Sequence, residues 1–141
     1  MLLVVVSKTF TFEAGHRLSN YAGKCRRLHG HSYILRLTVE GDLNDIGMVI
    51  DFGELKRFFN EIVDSKFDHR LILMGYDPFN KALSKALPKD DDSICWVDYN
   101  PTAENMVTDI FNMLKDELPT GVRLVGVKLY ETPTSYAEIS I

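Results

Sequence analysis

Histidines stand at positions 16, 29 and 31, in the segments EAGHRL and LHGHSY, and they are three of the four in the chain. His29 and His31 are two residues apart, so on extended backbone their side chains leave the same side. Gly30 between them lets the chain bend or approach a neighbour closely. His16 lies near the end of the preceding predicted strand, and a hairpin-like pairing would turn it toward the pair. Three neutral imidazoles suit Zn²⁺, with a fourth position left for water or substrate. Cys25, four residues before His29, is an alternative fourth ligand that would make the site a structural one. Both readings stand on the residues alone.

Other groups extend the chemistry. Lys24, Arg26 and Arg27 flank Cys25 and would favour its thiolate, a form able to abstract a proton or to attack. Asp68 and His69 are neighbours; if the chain turns there, the carboxylate can fix the tautomer of the imidazole and help it carry a proton. Glu131 ends an apolar strand on the side of Val127 and Leu129. Its two oxygens match the paired N–H groups of a guanidine-like heterocycle. Cys95 is expected to pack inside, and the run Asp90-Asp91-Asp92 reads as a solvated turn. There is no obvious serine nucleophile and no H-E-x-x-H helix.

The elements that must position these groups follow from periodicity. From residue 2 the chain is apolar and then alternates, with Phe10, Phe12, Ala14 and His16 on one side and Thr9, Thr11 and Glu13 on the other. Residues 19–27 form a polar loop, expected to be mobile. Residues 31–41 make a second strand, with His31, Tyr33, Leu35, Leu37 and Val39 on one side. The two strands should pair as a long antiparallel ribbon. Asp51 caps a helix with Leu55, Phe58, Phe59, Ile62 and Val63 on its apolar stripe. The segment from Asp68 to Ser93 reads as irregular, with a short helix over 79–87. Pro101 is expected to open a second long helix with the stripe Ala103, Met106, Val107, Ile110, Phe111, Leu114 and Leu118. Strands near 122–131 and 135–141 complete the order.

The pattern predicts an α+β domain spanning 1–141: a four-stranded antiparallel sheet with two long helices on one face, in ββααββ order, with no βαβ unit. The apolar sheet edges call for pairing, and oligomerisation through them is a natural solution. With 141 residues, 45% of them hydrophobic and 26% charged, the chain can bury one real core. A net charge of −4 argues against a general nucleic-acid binder. Two cysteines make no disulfide framework and point to a reducing, cytoplasmic home. The first residues read as a strand rather than a signal peptide, and no run is long enough for a membrane span.

Taken together, F-x-A-x-H at 12–16, C-x-x-x-H-G-H at 25–31, GMVIDFGELK at 47–56, FDHRL at 67–71, PTAEN at 101–105 and YET at 130–132 resemble the 6-pyruvoyltetrahydropterin synthase family. The compact cysteine-to-histidine spacing is most similar to its 6-carboxytetrahydropterin synthase branch, which serves queuosine synthesis. The resemblance implies a T-fold whose trimers close into barrels and stack as a hexamer, with active sites between subunits. It implies zinc on His16, His29 and His31, proton abstraction by Cys25, an acid–base relay of Asp68 and His69, and a pterin anchored by Glu131. PTAEN would line the pocket through Thr102 and Glu104. The implied reaction converts 7,8-dihydroneopterin triphosphate to 6-carboxy-5,6,7,8-tetrahydropterin, losing triphosphate and acetaldehyde. Alternatives are a 6-pyruvoyl product with the side chain kept whole, or a non-catalytic pterin- or purine-binding module with structural zinc. After FDHRL and Ile72 the chain departs from the family pattern: it reads LMGYDPFNKAL where an asparagine-bearing LN-type continuation is usual.

Overall fold

The computed structural model describes residues 3–141; Met1 and Leu2, the start of the expected first strand, lie outside the described residues. Strands β1 (Val4–His16) and β2 (His29–Gly41) pair antiparallel along their whole length, from Val4 opposite Gly41 to His16 opposite His29. The alternation seen in the sequence sets which face is buried. Phe10, Phe12, Ala14 and His16 point inward from β1, and Tyr33, Leu35, Leu37 and Val39 from β2. A one-residue slip would expose all of them, so the register is strongly specified. Strands β5 (Val122–Thr132) and β6 (Ser135–Ser140) continue the antiparallel sheet beyond β2.

The sheet is larger than the expected four strands. Within the segment read as irregular, Arg70–Met74 forms β3, and just after it Ile94–Val97, for which the sequence predicts no element, forms β4. The order is β4-β3-β1-β2-β5-β6, and β3 runs parallel to both β1 and β4. The short helix α2 (Pro78–Ser84) joins β3 to β4 as a compact βαβ unit, contrary to expectation. These strands escape a period-two reading because LILM and ICWV are almost continuously apolar.

Helix α1 runs through Phe52–Phe58, a π-helical stretch Phe59–Asp64 and a last turn Ser65–Phe67. Asp51 caps it by accepting from the Gly53 N–H at 2.7 Å. Its aromatic residues meet the sheet directly: Phe59 stacks on Phe10 at 4.4 Å between ring centroids, and Phe67 on Phe12 at 5.9 Å. Such pairs contribute about 0.5–1.5 kcal/mol each beyond area burial. Helix α3 (Ala103–Leu114) starts two residues later than expected: Thr102 is its cap, so Pro101 precedes the helix instead of opening it. Met106, Val107, Ile110 and Leu114 join the same core on the same face, and Leu118, past the helix end, packs against it. Among the described residues no helix is long and apolar enough to cross a membrane.

Candidate metal centre and its neighbours

The β1–β2 register puts His16 directly across from His29, with His31 opposite Ala14 one step along the same face. Gly30 is needed between them: a Cβ there would come within 3.2 Å of the Ala14 carbonyl oxygen. One ring nitrogen from each histidine lies within 4.8 Å of the others, and Cys25 is not a member of this group. His16 is fully buried and the other two are half-buried.

Hydrogen bonds settle the tautomers. His16 Nδ1 donates to the Pro101 carbonyl at 2.7 Å, and His29 Nδ1 donates to the Arg27 carbonyl at 2.6 Å. Both Nε2 atoms then carry lone pairs, yet they face each other at 3.1 Å. Two lone pairs at that distance repel unless a cation lies between them. The spacing also suits zinc, because two ligands at 2.0–2.1 Å in a tetrahedron stand about 3.3 Å apart. His31 Nε2 is buried without a hydrogen-bond partner among the described residues, an orphan that metal ligation would satisfy. The carbonyls holding the far nitrogens are the kind of outer support that metal-binding histidines use.

The electrostatics agree. Burial pushes His16 down to about 4, against the pull of the Pro101 carbonyl and aided by His29 and His31. Burial likewise lowers His31, opposed by Glu131. Both stay neutral near pH 7, as metal ligation requires. Glu131 sits in an irregular stretch of the β5–β6 pairing, with Oε1 3.5 Å from His16 Nε2 and 3.8 Å from His31 Nε2. Tyr33 continues the same face of β2, with its hydroxyl 3.4 Å from His16 Nδ1. Burial raises its pKa, with Glu131 and Cys25 adding to the effect, so the phenol remains protonated.

Cys25 occupies a single 3₁₀ turn, Lys24–Arg26, and is half-buried. The loop expected to be mobile is held at three successive carbonyls. Cys25 O accepts from Leu18 N at 2.8 Å, Arg26 O from Arg17 Nε at 3.1 Å, and Arg27 O from His29. Cys95 is buried in β4, as its sequence context suggested.

Asp68 and His69 do couple, because the chain turns sharply where α1 ends. Asp68 is extended (φ −64°, ψ 130°) and His69 takes a left-handed conformation at φ 59°, uncommon for a residue other than glycine. His69 Nδ1 donates to Asp68 Oδ2 at 2.7 Å, and Asp68 Oδ1 accepts from Glu13 N at 2.9 Å. His69 borders an open groove of ≈ 500 Å³ together with Glu13, Ser32 and the triad's His31; the Glu13 and Ser32 side chains leave the sheet on the side away from the triad. The charged groups acting on His69 are Asp68, Glu13 and Asp64, not those around the triad. Within one chain the structure brings Glu131 to the histidines, while the hydrogen bonds of the Asp68–His69 pair go to each other and to the Glu13 backbone.

Thr102 and Glu104 fall on the α3 terminus. The Thr102 hydroxyl accepts from Asn105 N at 3.1 Å, so it caps the helix, and Glu104 is exposed in the first turn. The residue of this motif that touches the site is Pro101, through its backbone. Side-chain chemistry gave no sign of it, although the motif itself pointed to the right segment.

The fold and the triad define a T-fold protein with three imidazoles arranged to hold a metal ion. The chain belongs to the 6-pyruvoyl tetrahydropterin synthase family, whose sequence model matches residues 5–141. It is 35% identical over 141 residues to a Rickettsia felis protein named 6-carboxy-5,6,7,8-tetrahydropterin synthase, covering 97% of this chain and all of that one. A Haemophilus influenzae protein of the same name is 36% identical over 137 residues, covering 94% of this chain and 96% of its own length. The structure of Caenorhabditis elegans 6-pyruvoyl tetrahydropterin synthase superposes with a TM-score of 0.71 at 25% identity, covering 100% of this chain and 97% of that one.

Proposed function

We propose that this chain is a zinc-dependent lyase acting on a pterin. It converts 7,8-dihydroneopterin triphosphate and water into 6-carboxy-5,6,7,8-tetrahydropterin, acetaldehyde and triphosphate, a step toward queuosine. The observation that carries the reading is the convergence of His16, His29 and His31, each able to offer an unprotonated nitrogen, beside the Glu131 carboxylate. The relatives named 6-carboxy-5,6,7,8-tetrahydropterin synthase support the choice of product.

In this reading His16, His29 and His31 hold the zinc, which supplies Lewis acidity that favours ionised forms of the substrate's hydroxyls. Glu131 accepts from the amino-pyrimidine edge and orients the ring. Cys25 removes a proton from the side chain, and the Asp68–His69 pair carries protons at the far side of the substrate. In this reading, as the family resemblance implies, that pair serves the site of a neighbouring copy. The assembly in this reading is a homo-oligomer, a hexamer built from two trimers, again as the resemblance implies. Thr102 and Glu104, at the α3 terminus, are assigned to the rim of the pterin pocket. The chain works in the cytoplasm.

The test is incubation of zinc-loaded protein with 7,8-dihydroneopterin triphosphate and mass identification of every product, with acetaldehyde trapped as a hydrazone. The 6-carboxy pterin with matching acetaldehyde is expected. An intact three-carbon side chain would assign the 6-pyruvoyl reaction instead. Bound but unchanged pterin would reduce the chain to a binding module.

A further inference from the structure

The segment that departs from the family pattern, LMGYDPFNKAL, has no part in the chemistry above, yet it reaches the Cys25 turn. Arg17, the residue after His16, makes the link. Its Nη1 donates to Asp77 Oδ2 at 2.6 Å and to Asn80 Oδ1 at 2.8 Å, while its Nε donates to the Arg26 carbonyl at 3.1 Å. Asn80 is fully buried, and the Arg17 and Asp77 side chains are only 13% and 15% exposed. The Phe79 ring lies 4.5 Å from the guanidinium carbon and covers it.

Ser19 closes the cluster. Its hydroxyl donates to Asp77 Oδ2 at 2.6 Å, its N–H donates to Asn100 Oδ1 at 2.8 Å, and its carbonyl accepts from Asn100 Nδ2 at 2.9 Å. Asn100 immediately precedes Pro101, whose carbonyl holds His16. One buried lattice thus joins the end of β1, the N-terminus of α2 and the strap that orients a triad histidine.

A largely buried ion pair is weak evidence for stability, because desolvation offsets most of the attraction. What such a pair does supply is a fixed geometry. An arginine fork reaching an acid, an amide and a carbonyl together is a geometry that lysine does not reproduce. We propose that Arg17, anchored by Asp77 and Asn80, is a positioning residue that sets the Cys25 turn relative to the imidazole triad. Its effect on turnover rests on the role assigned to Cys25 above; its effect on the turn does not.

The test uses full-length zinc-loaded protein with Arg17→Lys, which keeps a cation for Asp77 but loses the fork. Asp77→Asn, which keeps an acceptor for Phe79 N but puts an N–H donor in place of the oxygen shared by Arg17 and Ser19, is the second variant. Native alkylation by iodoacetamide is followed at Cys25 and Cys95 by peptide mass, alongside zinc content, kcat and KM. In both variants Cys25 should alkylate several-fold faster while buried Cys95 and zinc content stay as in the parent. The kcat should fall about ten- to a hundredfold with KM little changed, as expected when a reacting group is misplaced by about 1 Å. Unchanged Cys25 alkylation in both variants would overturn the proposal. So would parallel acceleration at both cysteines, which would mark general loosening. If Cys25→Ala kept full turnover, the catalytic reading would fall, while the alkylation result would still decide the positioning role.

Discussion

The imidazole cluster sits at the enclosed end of β1 and β2, where His16 is fully buried, whereas the Asp68–His69 pair hangs from the end of α1 with the His69 side chain 78% exposed. In the first region the contacts that hold His16, His31 and Arg17 reach across the chain: Pro101 to His16, Glu131 to His31, Arg17 to Asp77. In the second, an aspartate and its neighbour make a local clasp, hydrogen-bonded to the sheet through the Glu13 backbone. The first is assembled by the fold of one chain. The second is a local clasp whose imidazole stands on the rim of the open groove.

The sharpest way to break this contrast is His16→Ala. Stoichiometric metal and turnover should vanish together. The loss should be about ten-thousand-fold in kcat, or 5–6 kcal/mol, on the scale of Lewis-acid stabilisation. Retained metal by elemental analysis would contradict it. Cys25→Ala should lower kcat about a thousandfold, within the range for a general base, and leave metal in place. Mixed oligomers of Cys25→Ala and His69→Ala chains should then recover activity that neither variant shows alone. Absence of recovery in verified mixed oligomers would place both groups in one chain's site.

Glu131→Ala should weaken pterin binding about ten- to a hundredfold, the equivalent of about 1.5–3 kcal/mol for a charged hydrogen bond. Calorimetry with a non-reactive pterin would check this, and unchanged affinity would remove Glu131 from the pocket.

The smallest effect concerns the clasp itself. The Asp68 hydrogen bond and charge raise the His69 pKa above 6.5. Burial works against the Asp68 carboxylate, but the Glu13 N–H and His69 outweigh it and hold Asp68 below 3.8. The His69 contribution is full below 6.5 and is lost as pH rises through its raised value. The Asp68 contribution is full above 3.8 and is lost as pH falls through its depressed value. The clasp is therefore strongest between those two ordinary values. Asp68→Asn should move the His69 titration, followed by NMR, down toward 6.5; an unmoved midpoint would deny the coupling.

The part of this molecule that alternates was legible in its residues. Phe10, Phe12, Ala14 and His16 declare a buried face, and that same parity aims His29 and His31 at His16. Cap chemistry at Asp51 was equally direct. What stayed hidden has no local signature. Strands β3 and β4 are short apolar runs whose pairing partners are distant in sequence. The left-handed turn at His69 depends on the end of α1 meeting the Glu13 backbone. The Pro101 carbonyl and the Asp77–Asn80 anchor act through backbone or through contacts some 60 to 85 residues apart. Spacing rules see neighbours along the chain, and these groups are neighbours only in space.

X-ray absorption at the zinc edge of the metal-loaded chain tests the centre most directly. Three imidazole nitrogens and one oxygen near 2.0–2.1 Å, with no sulfur, are the predicted shell. A Zn–S distance near 2.3 Å would put Cys25 on the metal and contradict the account.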